Sequence, residues 1–291
     1  MPFLIPESFA PRYIAFAPRG MRGWIDRAFY DSLGAAERAD PLRLLAAPGA
    51  RVVKDGRNLL VRAELPIGGA ARTVWIKRFR PVGPIGWAAR AFRAGKAERG
   101  WNAAFALLEA GIDTPRPLLG LRATGWAGNA KGLLAVEHAE GEPLRALRKR
   151  LPAAGPERRR LAEALAAFAA ALHDAGFRHR DFSGGNIVAR QRPEGGCAFS
   201  LIDVNRMRRA ARLGLHARMR DLERIPLAEE EIEPFFACYA AGRADAAQWR
   251  EEYKKRASRY RSMREARSPL ARLAGRGRYY LEDFAALFSR R

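Results

Sequence analysis

Residues 1–47 mix apolar, proline and charged positions without a regular period, and read as an irregular or partly helical preface. From Arg51 the texture changes. "ARVVKDGRNLLVRAEL" carries two strand-like runs joined at Lys54-Asp55-Gly56-Arg57-Asn58, and "ARTVWIKRF" forms a third after the turn at Gly68-Gly69. Side chains alternate along a strand, so Trp75, Lys77 and Phe79 share a face. A helical pattern then covers Lys96–Ala110 and stops at Gly111. Glu98 lies on its apolar stripe, with Trp101, Phe105 and Leu108 three, seven and ten residues on. "TPRPLLGLRA" and "KGLLAVEHA" predict two more strands, making about five strands and one helix in the first 140 residues.

Beyond that point the period is mostly helical. Leu161, Leu165, Phe168 and Leu172 step by four, three and four, and Gly176 ends the helix they define. "HRDFSGGNIV", His179 to Val188, follows at once. "NIVAR" and "AFSLIDV" predict short strands around Gly195-Gly196, and after Asp203 the chain turns strongly basic and then reads as helices to the end. Strands with one helix, followed by helices with a small hairpin, predict an α+β fold of two lobes with a cleft between them. The expected division is an N-terminal extension over 1–47, a mainly-β lobe over 48–139 and a helical lobe over 140–291.

Composition narrows the class. The chain has 291 residues, 48% of them apolar, enough for one large two-lobed unit or two modest domains. Cys197 and Cys238 are too few and too far apart for a disulfide framework or a metal-binding spacing, which points to a reducing compartment. No apolar run approaches a membrane span, and "MPFLIPESFAPRYIAF" lacks the basic-then-apolar pattern of a signal peptide. The expectation is a cytoplasmic, soluble protein. The charge of +22, from 53 Lys+Arg against 31 Asp+Glu, calls for an acidic partner: phosphorylated lipid headgroups, nucleic acid or a nucleotide. Charge alone does not choose among these, and coding bias toward arginine produces part of it without function.

Four pieces fall in the order that phosphoryl transfer requires. Lys77 on its strand can reach over apolar neighbours toward phosphates, although a strand lysine alone is more often a solvated edge residue. Glu98 is a carboxylate on a buried stripe and needs a partner, for which Lys77 is the candidate; the plainer reading is a first-turn glutamate favoured by the helix dipole. In the quoted loop Asp181 can accept a hydrogen bond from an attacking hydroxyl, and Asn186 offers an amide oxygen to a metal. Gly184 and Gly185 allow a tight turn between them. Asp203 ends an apolar strand, where a carboxylate suits magnesium held between phosphate oxygens. Strand Lys, helix Glu, H-R-D-x-x-x-x-N, hairpin, then Asp is the protein-kinase-like order.

At these residues the sequence resembles the bacterial lipopolysaccharide kinase family, the Kdo and heptose kinases. The resemblance rests on "HRDFSGGNIV", "FSLIDVNRMR", and "VWIKRF" followed by "KAERGWNAAFALLEAGIDTPRPL", and covers roughly Arg51 to Arg209. It implies a protein kinase-like two-lobed fold and ATP-dependent, magnesium-assisted phosphorylation of a sugar hydroxyl in an anionic glycolipid, with peripheral contact at the inner face of the cytoplasmic membrane. Carried over, Lys77 holds the α- and β-phosphates and pairs with Glu98, Asp181 is the catalytic base, and Asn186 and Asp203 ligate magnesium. The hinge is "VEHAEG", with Glu137 and His138 meeting the adenine through their backbone, and Gly56 supplies the phosphate cover of the first hairpin. "RRAARLGLHARMR", Arg208 to Arg220, is the expected place for substrate or membrane contacts, or else a solvated basic loop.

Departures from the protein kinase pattern are informative. The first hairpin has only Gly56 where a glycine-rich loop would stand, Asp-Phe-Gly reads Asp203-Val204-Asn205, and Ser183 replaces the lysine that many kinases direct to the γ-phosphate. Trp75 stands where a small residue usually leaves room for adenine, and can stack on the base or narrow its pocket. The hairpin, the Asp203-Val204-Asn205 segment and Ser183, with no A-P-E segment in the chain, favour a small-molecule or glycolipid kinase over a regulated protein kinase. A small-molecule or protein kinase of the same fold, or a pseudokinase scaffold, are the alternatives. A nucleic-acid-binding protein ranks last, since no helix-turn-helix, zinc-finger or aromatic RNA-binding motif stands out.

Overall fold

The structure, a computed structural model, describes residues 2–56, 58–80, 95–124, 132–193, 195–242 and 246–273. The basic stretch before the first expected helix and the expected C-terminal helical turns fall on 81–94 and 274–291, outside the described residues. The chain divides into two compact units, Met1–Ala139 with Asp203–Asn205, and Glu140–Ile202 with Arg206–Arg291.

The first unit runs β1 (Tyr13–Phe16), β2 (Met21–Asp26), α1 (Arg27–Asp31), α2 (Ala35–Ala39), β3 (Arg51–Asp55), β4 (Asn58–Ile67), β5 (Ala70–Phe79), α3 (Lys96–Glu109), β6 (Pro117–Ala123) and β7 (Gly132–Glu137). Among the described residues seven strands form one antiparallel sheet in the order β1-β2-β6-β7-β5-β4-β3. Alternation sorts its two faces. Val61, Ala63, Val74, Ile76, Leu133 and Ala135 pack into one core with Ile25, Phe29 and Leu44, while Phe79 and Leu134 join Ala97, Trp101 and Phe105 of α3 in another. Gly111, at φ +71°, ends the run after α3 where its sequence predicts.

Residues 1–47 are therefore more than a preface. They supply two strands of the sheet and send Phe29, Leu33 and Leu44 to one core, Phe3 and Tyr13 to the other. Full burial of an aromatic or aliphatic side chain of this size contributes about 1.5–3 kcal/mol, so this segment is integral to the first unit.

The second unit runs β8 (Glu142–Pro143), α4 (Leu144–Arg150), α5 (Pro156–Asp174), β9 (Phe177–Arg178), β10 (Ile187–Gln191), β11 (Cys197–Leu201), β12 (Arg208–Arg209), α6 (Leu215–Leu222), α7 (Glu229–Tyr239) and α8 (Ala246–Leu273). β10 pairs with β8 on one side and β11 on the other, and β9 pairs with β12. Leu161, Leu165 and Leu172 of α5 are buried as their spacing predicts, and Phe168 lies half-buried with its ring 5.5 Å from that of Phe199. α7 contributes Phe235, Phe236 and Tyr239 to the same interior. A mainly-β unit with a key helix and a helical unit with a small hairpin is the α+β arrangement expected.

Candidate active site

Each unit carries part of the predicted constellation. In the first, β5 holds Lys77 beside β7, in register with Leu134. Its Nζ lies 2.6 Å from Oδ1 of Asp203, an ion pair whose side chains are 22% and 37% exposed. Asp203 takes a left-handed backbone, φ 56°, uncommon for a residue with a Cβ. Asn205 folds back so that its amide donates to the same Asp203 oxygen, and its own carbonyl accepts from Arg99 Nε at 3.2 Å. A Cβ on Gly100 would stand 2.9 Å from Leu134 and 3.5 Å from Asn205, so glycine is what lets α3 approach both closely.

Glu98 has other partners. Its Oε2 accepts the Gly95 N–H at 2.6 Å at the start of α3, and its Oε1 faces Arg122 Nε at 3.6 Å. The expected Lys77–Glu98 pair is thus replaced by Lys77–Asp203. The reason is local: in the first turn one oxygen of this glutamate, 1% exposed, takes the N–H that opens its own helix, and the other has the Arg122 charge beside it without a hydrogen bond.

The hinge residues are also tied by their side chains. Glu137 pairs with Arg116, whose other nitrogen donates to buried Asp26 at 2.7 Å, and the Glu137 N–H donates to the Arg116 carbonyl at 3.0 Å. Asp26 in turn accepts the Phe29 N–H at the start of α1, so the N-terminal segment braces the end of β7. Trp75, 8% exposed, donates its indole N–H to His138 Nδ1 at 3.0 Å. Gly56 sits at the β3–β4 hairpin tip, its carbonyl accepting from Arg80 at 3.1 Å.

In the second unit the quoted loop is built on Asp221, a residue the sequence does not single out. Asp221 is fully buried on α6; its Oδ2 accepts the His179 N–H at 2.5 Å and its Oδ1 the Arg180 N–H at 2.9 Å. Arg180 is the second non-glycine residue with a left-handed backbone, φ 64°. Around Asp221 stand His173 Nε2 at 3.7 Å and Arg178 Nε at 3.5 Å. Although burial works the other way, His173 and the two loop N–H groups hold the Asp221 carboxyl below the usual range, while burial pushes His173 down and keeps it neutral. At 3.7 Å the His173–Asp221 contact is longer than a hydrogen bond; the ring's hydrogen bond joins Nδ1 and the Tyr239 hydroxyl at 2.7 Å, and an Nδ1 that accepts from the hydroxyl leaves the ring proton on Nε2, toward Asp221. His179 is buried scaffold: its Nε2 lies 3.0 Å from the Ile202 carbonyl, and a carbonyl only accepts, so Nε2 carries the proton.

Asp181 follows, with Asn186 donating its amide N–H to the Asp181 carbonyl at 2.9 Å. That bond turns Asn186 Oδ1 the other way, as a neutral oxygen donor. Gly184 serves the turn by close approach rather than by an unusual φ, since a Cβ there would stand 3.2 Å from the Arg145 nitrogen that donates to its carbonyl. Arg224 Nη1 donates to Asp181 Oδ1 at 3.0 Å, and Arg206 Nη1 lies 3.6 Å from Oδ2. Arg218, in the basic segment expected to meet substrate or membrane, is instead buried, donating to the Leu213 carbonyl and pairing with Asp174 at 2.7 Å.

Each unit holds its own oxygen donor of the kind a hard cation takes: the Asp203 carboxylate, set against Lys77, in the first, and the Asn186 amide oxygen in the second. Among the described residues no group of three or more His, Cys, Asp or Glu side chains could hold a metal ion.

The family model described as Lipopolysaccharide kinase (Kdo/WaaP) matches residues 87–239, more than half of the chain. A solved structure, "WaaP in complex with acyl carrier protein", is similar with a TM-score of 0.53 and 19% sequence identity, over 76% of this chain and 96% of that one. At that identity the likeness speaks to the fold, which is protein kinase-like. No curated protein matches the chain.

Proposed function

The chain belongs to the lipopolysaccharide kinase (Kdo/WaaP) family, and from that premise we propose that it transfers the γ-phosphate of ATP to a sugar hydroxyl of a lipopolysaccharide core or related glycolipid. The observation that carries this reading is the loop Arg180–Asn186. Its backbone is fixed by a buried carboxylate at a left-handed residue, and its Asn186 is oriented by the Asp181 carbonyl. That much organisation suits a carboxylate that must meet a hydroxyl in one orientation.

In this reading Asp181 accepts the proton as the acceptor oxygen bonds to the γ-phosphorus, and the bridging oxygen leaves with its electron pair on ADP. Lys77 positions the nucleotide phosphates, and Asn186 and Asp203 would hold magnesium. When bound, the metal supplies charge neutralisation on the phosphates. The backbone of Glu137 and His138 would meet adenine, with Trp75 held against His138 and Gly56 at the hairpin tip toward the phosphates. The pseudokinase alternative is disfavoured because Lys77, Asp181, Asn186 and Asp203 are all present and satisfied in polar contacts.

No helix of the described residues is long and apolar enough to cross a membrane. A peripheral contact is supported by a recess between α6 and α8 lined by His216, Arg220, Arg259 and exposed Met263, with Arg256 there paired to Glu223, a face with a net positive charge and an apolar tip. The similar solved structure holds WaaP in complex with acyl carrier protein, which makes a protein partner the rival for that face; sedimentation with anionic vesicles separates the two.

The test is transfer of radiolabelled phosphate from ATP to core lipopolysaccharide, with Asp181→Asn beside the unaltered protein. Incorporation should fall by about 10²–10⁴-fold in the variant, with folding and nucleotide binding retained. A variant that keeps most of its activity removes Asp181 from the reaction.

A further inference from the structure

The two guanidinium groups on Asp181 are not explained by its service as a base. A base needs one free lone pair of the carboxylate's roughly four and no cation at all, yet Arg224 donates to Oδ1 and the charge of Arg206 stands 3.6 Å from Oδ2. Among the described residues Asp181 is the only carboxylate in ion-pair range of either arginine. Two cations thus share one anion, leaving a surplus positive charge where the acceptor hydroxyl has to arrive. Neither arginine is buried as a structural ion would be: their side chains are 48% and 30% exposed. Arg224 is held in place by the Tyr260 ring, 5.4 Å from its guanidinium carbon. The loop itself brings no cation between Asp181 and Asn186, since Ser183 stands at the position open to one.

A planar guanidinium fork matches phosphate and carboxylate oxygens in pairs. We propose that Arg206 and Arg224 form an anion clamp for the acceptor. They recognise a phosphate or carboxylate already fixed on the sugar near the hydroxyl to be phosphorylated, and its arrival draws them off Asp181. The clamp then holds a charged acceptor beside the base, which makes these two arginines determinants of acceptor specificity. The proposal rests on the kinase reading and deepens it by naming the acceptor as one that carries its own negative charge.

The experiment uses initial rates of the full chain with ATP and magnesium on three acceptors: core lipopolysaccharide, the same material stripped of phosphate, and the same material with its carboxylates amidated. The unaltered protein should lose activity on at least one stripped form, which identifies the anion. Arg206→Gln and Arg224→Gln should each raise KM for the intact acceptor by about tenfold, without raising KM for ATP, and should erase the preference for charge. Arg224→Lys, which keeps the charge and loses the fork, should fall between. A preference that survives in the variants, or a rise in KM for ATP alone, overturns the clamp.

If the unaltered protein phosphorylates none of the three, the kinase reading fails separately, and the clamp is read by thermal shift with glucose 6-phosphate against glucose. Stabilisation by the phosphate that disappears in the double variant supports the clamp, and equal shifts in both proteins overturn it.

Discussion

Asp181 and Asp203 both stand at left-handed turns, the first beside Arg180 at φ 64° and the second at φ 56° itself, but they are held differently. Such a backbone costs about 1–3 kcal/mol and persists only where surrounding contacts hold it. For Asp181 the hold is interior: fully buried Asp221 takes two loop N–H groups, with His173 and Tyr239 behind it. For Asp203 it is a half-exposed ion pair with Lys77 and the fold-back of Asn205. The difference teaches where each residue's state is decided. The Asp181 loop is set when its unit folds, whereas the Asp203 contacts are of the kind a bound cation or phosphate can exchange with.

The comparison breaks first at Asp221. Asp221→Ala strands two loop N–H groups and leaves Arg178 without its buried counter-charge, and should destabilise the protein by about 3–5 kcal/mol. Urea denaturation reads this directly; a loss under about 1 kcal/mol would mean the loop is not held from Asp221. Asp203→Ala should act on binding instead. Nucleotide at a hundredfold over its Kd stabilises a protein by about 2.7 kcal/mol, and the magnesium-dependent part of that thermal shift should vanish in the variant. A shift that persists would take Asp203 out of the metal site.

One side of this comparison is far easier to read from sequence than the other. Lys77, Asp181, Asn186 and Asp203 stand out as candidates because they follow a motif order, and the helix over Lys96–Ala110 and the Leu161 stripe are legible because periodicity is local. Asp221 is not legible: it sits 40 residues from Asp181, in a basic helix where an aspartate looks solvated, and only the tertiary contact reveals it. For Glu98 the sequence carries both readings, a partner for Lys77 and a first-turn glutamate, and the structure shows the second because the helix end is the nearer donor. β1 and β2 escape the pattern because "YIAF" and "MRGWID" are too short to show alternation, and the pair is joined to the sheet only through β2 against β6, about 100 residues later.

pH sharpens the same contrast. Buried His173 is held neutral, with Asp221, Arg218 and Asp174 around it and burial the largest influence. Its folded pKa lies below the unfolded value near 6.5, so the unfolded chain binds the extra proton first. Stability contributed by the interior network is present above about pH 6.5 and is lost as pH falls from there toward the lower folded pKa of His173. Asp221, also lowered, adds a further loss only below about pH 4, its unfolded range. His173→Gln should flatten the upper part of the profile in thermal melts; an unchanged slope would assign it to other groups.

The smallest effect is expected at Lys77, and its smallness is the point. The Lys77–Asp203 pair is partly exposed, and pairs of that kind contribute about 0–1 kcal/mol. Lys77→Met should therefore move the unfolding midpoint little while phosphate transfer is lost. Glu98→Gln should also leave stability within about 1 kcal/mol, because an amide oxygen can still accept from Gly95. Equal loss of nucleotide affinity in both variants would mean that Lys77 exchanges Asp203 for Glu98 when nucleotide binds. Loss confined to Lys77→Met would keep Glu98 as the anchor of its helix. A drop of several kcal/mol in Lys77→Met would instead make the pair part of the fold's support, and the distinction between a built-in Asp181 and an exchangeable Asp203 would fall with it.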